Sequence, residues 1–321
     1  MLQRKQTPPS GVQPVPRRTR LTSPATAPVD RLRLTVMHRI DGLLSGDYGG
    51  LFPGHGTERG EARPYIPGDD PRHIDWAVTA RNHQPHVRDM IADHELDVWL
   101  VLDTSSSLGF GTALTTKHEV AWSAAGAFGL LASTTGNRVG AVTSTIEPGN
   151  TRPLMFPARG GSAHTTGILA ALRTEPSDGA AGNLAGAIDL VSRAAHRRGM
   201  VVVISDFLDN GWERALRRVA ARHDVVAIEV VDPRELALPD VGLVALVDPE
   251  SGRRRLLDTR DVAARAAYAS TAEAHRNALE TNFKRSGADH LILRTDRDWV
   301  LDFVSFVSNR KARLLTSRRT A

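Results

Sequence analysis

Asp97-Val-Trp-Leu-Val-Leu-Asp103-Thr-Ser-Ser-Ser-Leu-Gly109 is the stretch on which the fold turns. Five apolar residues, Val98 to Leu102, run without interruption and stop at a carboxylate followed by four hydroxyl residues and, after Leu108, a glycine. A short apolar run bounded by a turn reads as a strand covered on both faces, as in a parallel sheet. The break after Leu102 puts Asp103 and the serines at the carboxyl end of that strand, where open α/β sheets place their sites. A second such run, Met200–Ile204, also ends in a carboxylate, within Ser205-Asp206-Phe207-Leu208-Asp209. A third, Val225–Val231, ends at Asp232-Pro233.

Between these strands lie segments of helical character, Lys117–Gly136, Gly167–Arg173, Leu184–Arg198 and Gly211–His223. Asn137–Ile146 and Thr151–Phe156 read as strands turned by Pro148-Gly149-Asn150, and Leu243–Val247 with Arg254–Asp258 as a hairpin turned at Pro249–Gly252. Val262–Ser286 reads as a polar, alanine-rich helix, Leu291–Arg294 as a last strand and Trp299–Leu315 as a last helix. Strands alternating with helices predict an α/β domain with a mostly parallel sheet covered on both sides. Ahead of it, Val29–Leu44 predicts a helix with Asp30 as N-cap and an apolar face of Leu32, Leu34, Val36, Met37, Ile40 and Leu44.

Composition narrows the classes. The 321 residues are 41% hydrophobic and 24% charged, and no run reaches membrane-spanning length. Zero cysteines exclude disulfides, thiolate metal sites and a cysteine nucleophile. With no secretory leader in evidence, the expected compartment is the cytoplasm. The net charge of +5 belongs to the ends: Arg4, Lys5, Arg17, Arg18 and Arg20 on one side, Arg310, Lys311, Arg313, Arg318 and Arg319 on the other. Neither end carries an acid, so the body between them is net negative. Residues 1–28, rich in proline, read as a disordered basic tail, and 310–321 as a second basic tail.

Residues 45–95 are punctuated by glycine and proline and read as a small β-rich unit, followed by the large domain over 96–309. Within it stands Arg63-Pro-Tyr-Ile-Pro-Gly-Asp-Asp-Pro-Arg-His-Ile-Asp-Trp76. Pro67-Gly68 sets a turn, and Arg63, Arg72 and Arg81 supply cations for Asp69, Asp70 and Asp75. Ion pairs of this kind, with Tyr65 and Trp76, staple a small unit with little core of its own. His73 and Asp75 as acid/base or ligand groups are the rival reading.

That string, with the D-x-S-x-S strand some twenty residues further on, closely resembles the bacterial family called domain of unknown function fifty-eight. The resemblance covers about Leu32 to Val307. It implies a von Willebrand factor A-like fold with a small β insertion, action beside a MoxR-type AAA+ ATPase in assembling or activating other proteins, and no enzymatic activity. Many members carry two amino-terminal membrane helices, for which this sequence has no counterpart.

The spacing Asp103-x-Ser105-x-Ser107 is that of a metal-ion-dependent adhesion site. In the fold so implied, Asp103, Ser105, Ser107 and Asp206 meet around one point, and such oxygens suit Mg2+ or Mn2+, partly through water. The resemblance also implies a threonine from a third loop, but Gly182-Asn183 stands where a Thr-Asp pair is expected. Asn183, Thr165 or Thr166 are the candidate substitutes for that ligand. The alternative is that Asp103 and Asp206 merely cap helices and hold loops.

Two other classes compete. Carboxylates with Mg2+ at strand ends also serve phosphoester hydrolases, but hydroxyls dominate this loop. No G-x-S-x-G elbow, GxxxxGK[ST] loop or H-E-x-x-H spacing occurs, and His73, His86 and His94 read as surface or hydrogen-bonded residues. The basic tails could give salt-dependent nucleic-acid affinity, but 5% aromatic residues and an acidic body supply no stacking surface.

Overall fold

A computed structural model describes residues 27–44, 51–52, 62–66, 74–82, 84–88, 95–145, 153–173, 180–247 and 253–319. The expected amino-terminal tail up to Thr26, the stretch Pro67–His73 of the Arg/Asp motif, His94, and the turns at Pro148–Asn150 and Pro249–Gly252 lie outside them.

In chain order, α1 (Ala27–Leu32) continues through a wide π turn (Arg33–Met37) into α2 (His38–Leu44). The small unit follows as β1 (Ala62–Pro64), α3 (Trp76–Asn82) and β2 (His86–Arg88). The large domain opens with β3 (Asp97–Leu102), α4 (Lys117–Thr134), β4 (Arg138–Thr143), β5 (Met155–Arg159) and α5 (Ser162–Ala171). Then come α6 (Leu184–Ala194), β6 (Met200–Ser205), α7 (Trp212–Ala220), β7 (Asp224–Val231) and the single turn α8 (Pro233–Leu236). The chain closes with β8 (Leu243–Val247), β9 (Arg254–Asp258), α9 (Val262–Ser286), β10 (Asp289–Arg294) and α10 (Trp299–Arg319).

Six strands form one sheet in the order β10-β7-β6-β3-β4-β5, parallel throughout except for β5, which runs antiparallel to β4 at the edge. Counted within the sheet, this is the doubly wound order 3-2-1-4-5-6, which reverses direction between β3 and β6. It is the α/β arrangement expected of a von Willebrand factor A-like domain. Side chains alternate across β3, so its apolar run feeds two cores. Val98, Leu100 and Leu102 face α4, α5 and α10 with Phe128, Leu169 and Phe303, while Trp99 and Val101 face α6, α7 and α9 with Ile188, Trp212 and Phe283. Gly140 is required beside them: a Cβ there would sit 2.8 Å from the Trp99 ring and 2.9 Å from the Ala158 nitrogen.

The amino-terminal helix packs on the first core through Val29, Leu32, Met37, Ile40 and Leu44. Two expectations change here. Helix begins before Asp30, which lies in the first turn and not at the N-cap. Leu34 is 75% exposed, because it lies two residues, about 200°, round the helix from buried Leu32. The π turn keeps Leu32 and Met37, five residues apart, on one face.

At the other end the helix α10 runs through the residues expected to form a basic tail, and Arg310 is buried. Its guanidinium donates to Asp289 and Asp224 at the starts of β10 and β7, and to the Leu51 carbonyl at 2.9 Å. Among the described residues, the strands of the hairpin β8–β9 pair only with each other. At its neck, buried Thr259 donates from its amide (2.8 Å) and its hydroxyl (2.7 Å) to the Gly242 carbonyl.

Candidate functional site

β3 and β6 are neighbours in register, Leu102 opposite Ile204, so the residues that follow them emerge side by side at the switch point of the sheet. The Asp103 amide donates to the Ile204 carbonyl at 2.9 Å. Its carboxylate is buried: Oδ1 accepts from the Ser105 amide (3.0 Å) and the Ser144 hydroxyl (2.6 Å), and Oδ2 accepts from the Ser205 hydroxyl (2.5 Å). Burial first, and then the neighbouring charge of Asp206, push the Asp103 carboxyl above the usual carboxylate range, against the pull of those hydroxyls. Phe207, next after Asp206, holds φ at 55°, and its ring packs edge-on against Trp212 and Phe283. Aromatic packing thus fixes a backbone conformation that side chains rarely adopt, and fixes Asp206 with it.

The serines close the loop. The Ser105 and Ser107 hydroxyls lie 3.1 Å apart, and residues Ser106–Gly109 make a tight 3-10 turn. The Ser106 amide donates to the Ala180 carbonyl at 3.0 Å, which brings the third loop alongside. Gly182 sits in that loop against the site: a Cβ there would lie 3.1 Å from the Ser105 Cβ and 3.4 Å from Asp103 Oδ1. The position where the resemblance called for a threonine therefore does abut the cluster, and glycine presents it with no oxygen. The suggested substitutes are engaged elsewhere. The Asn183 side chain accepts from the Gly186 amide and caps α6, buried Thr165 turns its hydroxyl to the Gly161 carbonyl, and the Thr166 hydroxyl accepts from Arg33.

The side chain that sequence reasoning missed is Lys117, the first residue of α4. It is fully buried, and its ammonium donates to Asp206 Oδ2 (2.8 Å) and Glu235 Oε1 (2.5 Å), 5.9 Å from the centre of the Phe110 ring. Burial works against its charge, but Asp206 and then Glu235 outweigh it and raise the lysine above its ordinary value. Burial raises Glu235 in turn, against the pull of Lys117. Glu235 is placed by a capping box with Asp232 across α8. Fully buried Asp232 ties the loop after the serines to two strand ends: it accepts from the Thr112 amide (2.8 Å) and hydroxyl (2.6 Å), the Thr295 hydroxyl (2.8 Å) and the Arg234 amide (2.9 Å). Despite burial, which pushes it up, those bonds, the Thr112 hydroxyl foremost, hold Asp232 below the usual carboxylate range. Among the described residues no three histidine, aspartate or glutamate side chains are grouped to hold a metal ion.

Of the Arg/Asp motif, Pro67, Gly68, Asp69, Asp70, Arg72 and His73 lie outside the described residues, as does the side chain of Arg63. Tyr65 and Asp75 are tied to the β2 segment through their amides, at 2.8 Å each to the Pro85 and His86 carbonyls. The Asp75 side chain caps α3 by accepting from Ala77, which suits a structural role better than an acid/base one. Trp76 and Arg81 are exposed on α3, so Trp76 does not staple the unit as expected. His86 is buried with Nδ1 on the Gln84 carbonyl at 2.7 Å, a hydrogen-bonded histidine as read.

The fold and the cluster define a doubly wound α/β domain of the von Willebrand factor A-like class, with hydroxyl and carboxylate groups gathered at the switch point. Residues 61–278 match the family described as "Protein of unknown function DUF58", and the chain belongs to it. It is 50% identical over 283 residues, 87% of its own length and 88% of theirs, to uncharacterized protein Rv1480 of Mycobacterium tuberculosis and uncharacterized protein Mb1516 of Mycobacterium bovis. Among solved structures it is similar to the conserved hypothetical protein BatB of Bacteroides thetaiotaomicron, with a TM-score of 0.43 and 15% identity over 67% of this chain and 98% of that one. An aerotolerance-related membrane protein of Bacteroides fragilis gives a TM-score of 0.41 at 15% identity, over 68% of this chain and 99% of that one. No helix among the described residues is long and apolar enough to cross a membrane.

Proposed function

We propose that the chain is a non-enzymatic interaction module whose docking surface is the carboxyl edge of the sheet, and that it works with a MoxR-type AAA+ ATPase in assembling or activating other proteins. One observation carries the docking reading. The loops that hold the polar cluster also expose large apolar side chains: Phe110 and Leu114 after the serines, and Leu208 after Asp206, with Leu114 80% exposed. Apolar groups gathered on one edge around a fixed polar centre are what a partner surface requires. A catalytic reading has less support. Among the described residues the hydroxyl of Ser105 pairs with another serine and with no base, and the carboxylate of Asp103 is spent on three internal donors. The choice of partner class follows from the family resemblance.

The test is capture of the ATPase by the wild-type chain and by Leu114→Asp/Leu208→Asp, which changes only exposed side chains. Loss of capture in a variant that melts like wild type is expected. Equal capture by both refutes the edge as the docking surface.

A further inference from the structure

We infer that Lys117 is the resident cation of the carboxyl-edge site: its ammonium on Asp206 and Glu235 stands in for the divalent ion that the D-x-S-x-S spacing leads one to expect, and the site is complete without metal. The inference concerns the same edge as the docking reading, and it does not require that reading to hold.

The donor set argues first. Mg2+ or Mn2+ at this point would need oxygens from Asp103, Ser105, Ser107, Asp206 and the third loop. Both oxygens of Asp103 are satisfied by serine donors and an amide. Asp206 gives Oδ2 to Lys117, and Oδ1 takes the Leu208 amide at 3.3 Å. The Ser105 and Ser107 hydroxyls answer each other, and the third loop offers the methylene of Gly182. A divalent ion would have to displace these partners and also sit beside a buried ammonium of like sign.

The placing of the lysine argues next. A cation in the first turn of a helix opposes the helix dipole, so α4 gains nothing from Lys117 at that position. The residue is held there all the same. Its amide donates to the Phe110 carbonyl at 2.9 Å, Thr116 caps the helix just before it, and its side chain is 1% exposed. Two carboxylates converge on the ammonium from separate strand ends, Asp206 after β6 and Glu235 after β7. Strand ends that would otherwise repel one another are thus joined by a charge tethered to the chain, with no ion to gain or lose.

Mn2+ titration of the full chain, read by electron paramagnetic resonance of the free ion and accompanied by thermal melting, tests this. Wild type is expected to take up no Mn2+ at millimolar concentration and to melt alike in EDTA and in Mn2+. Lys117→Met keeps the stem and drops the charge, so it is expected to bind Mn2+ at least about tenfold more tightly than wild type and to melt higher with the ion present. Adding Asp206→Asn removes that gain. One Mn2+ per wild-type chain, lost in Asp103→Asn, overturns the inference, and so does a folded Lys117→Met chain that takes up no more Mn2+ than wild type. If Lys117→Met does not fold, the wild-type titration decides, with Lys117→Arg expected to stay folded and equally blind to Mn2+. Capture of the ATPase by Leu114→Asp/Leu208→Asp is a separate readout: capture equal to wild type, with the Mn2+ results as expected, sinks the docking reading alone.

Discussion

Replacing Asp232 tests whether one carboxylate holds the loop over the site. Its two oxygens accept four hydrogen bonds, from the Thr112 amide and hydroxyl, the Thr295 hydroxyl and the Arg234 amide, in a position closed to solvent. In Asp232→Asn the remaining carbonyl oxygen can keep the Thr112 hydroxyl and the Arg234 amide. The new NH2 group then faces two donors, of which the Thr295 hydroxyl can rotate to accept and the Thr112 amide cannot. One stranded buried amide costs about 2 kcal/mol. In a domain of this size that lowers the melting temperature by about 4–8 °C. Asp232→Ala strands every donor and is expected to cost about 4 kcal/mol. Urea unfolding supplies the energies, and hydrogen exchange of residues 110–116, faster in both variants, shows where the loss arises. Because the folded pKa lies below the unfolded one, this contribution is whole above about pH 4 and disappears as pH falls through the depressed value. An Asp232→Asn chain within about 0.5 kcal/mol of wild type, with the loop amides as protected as before, refutes the reasoning.

Two further predictions concern the amino edge. Burial, with Arg222 and Arg198 adding to it against Asp97, holds His223 below the ordinary histidine value, and neither ring nitrogen has a hydrogen-bond partner among the described residues. Its contribution is therefore full above the unfolded value of about 6.5 and is lost as pH falls through the folded one, so the urea midpoint should drop between about pH 7.5 and about pH 5.5 and drop less in His223→Leu; equal slopes would count against it. Arg310→Met removes the partner of Asp224 and Asp289, whose side chains keep 34% and 23% exposure, and is expected to cost about 3 kcal/mol, the low end for a broken buried pair. Combined with Asp289→Asn it should cost less than the sum of the two single changes, and strict additivity in urea unfolding would contradict the contact.

Sequence alone carried the sheet a long way, for a physical reason. Runs such as Val98–Leu102 and Met200–Ile204 are apolar on both faces, short and bounded by turn residues, as a central strand of a parallel sheet requires. The bounds of β8, β9 and α9 also match their reading, where turn residues and an aspartate cap mark the ends. The helix α8 is a single turn with no apolar periodicity to announce it, and its signal in the sequence is the capping-box spacing Asp232-Pro-Arg-Glu235 with proline just inside the start. Leu34 departs from the expected apolar face because its phase, two residues round the helix from Leu32, turns it to solvent. Lys117 could not have been placed by pattern. It meets Asp206 and Glu235 at separations of 89 and 118 residues, and no local spacing rule links residues so far apart. Asp103 and Asp206 were legible because each ends a strand, whereas their counter-charge comes from the start of a helix.

The hairpin β8–β9 is drawn shut at its base by Thr259 on Gly242, 17 residues apart. Everything beyond that clasp is an appendage: among the described residues, β8 and β9 pair with each other and with no strand of the six-stranded sheet. Lengthening, shortening or exchanging the appendage therefore alters an outline and spares the frame, so this is where the molecule can be re-tailored, by an engineer or by descent, while β7 and β10 stay joined.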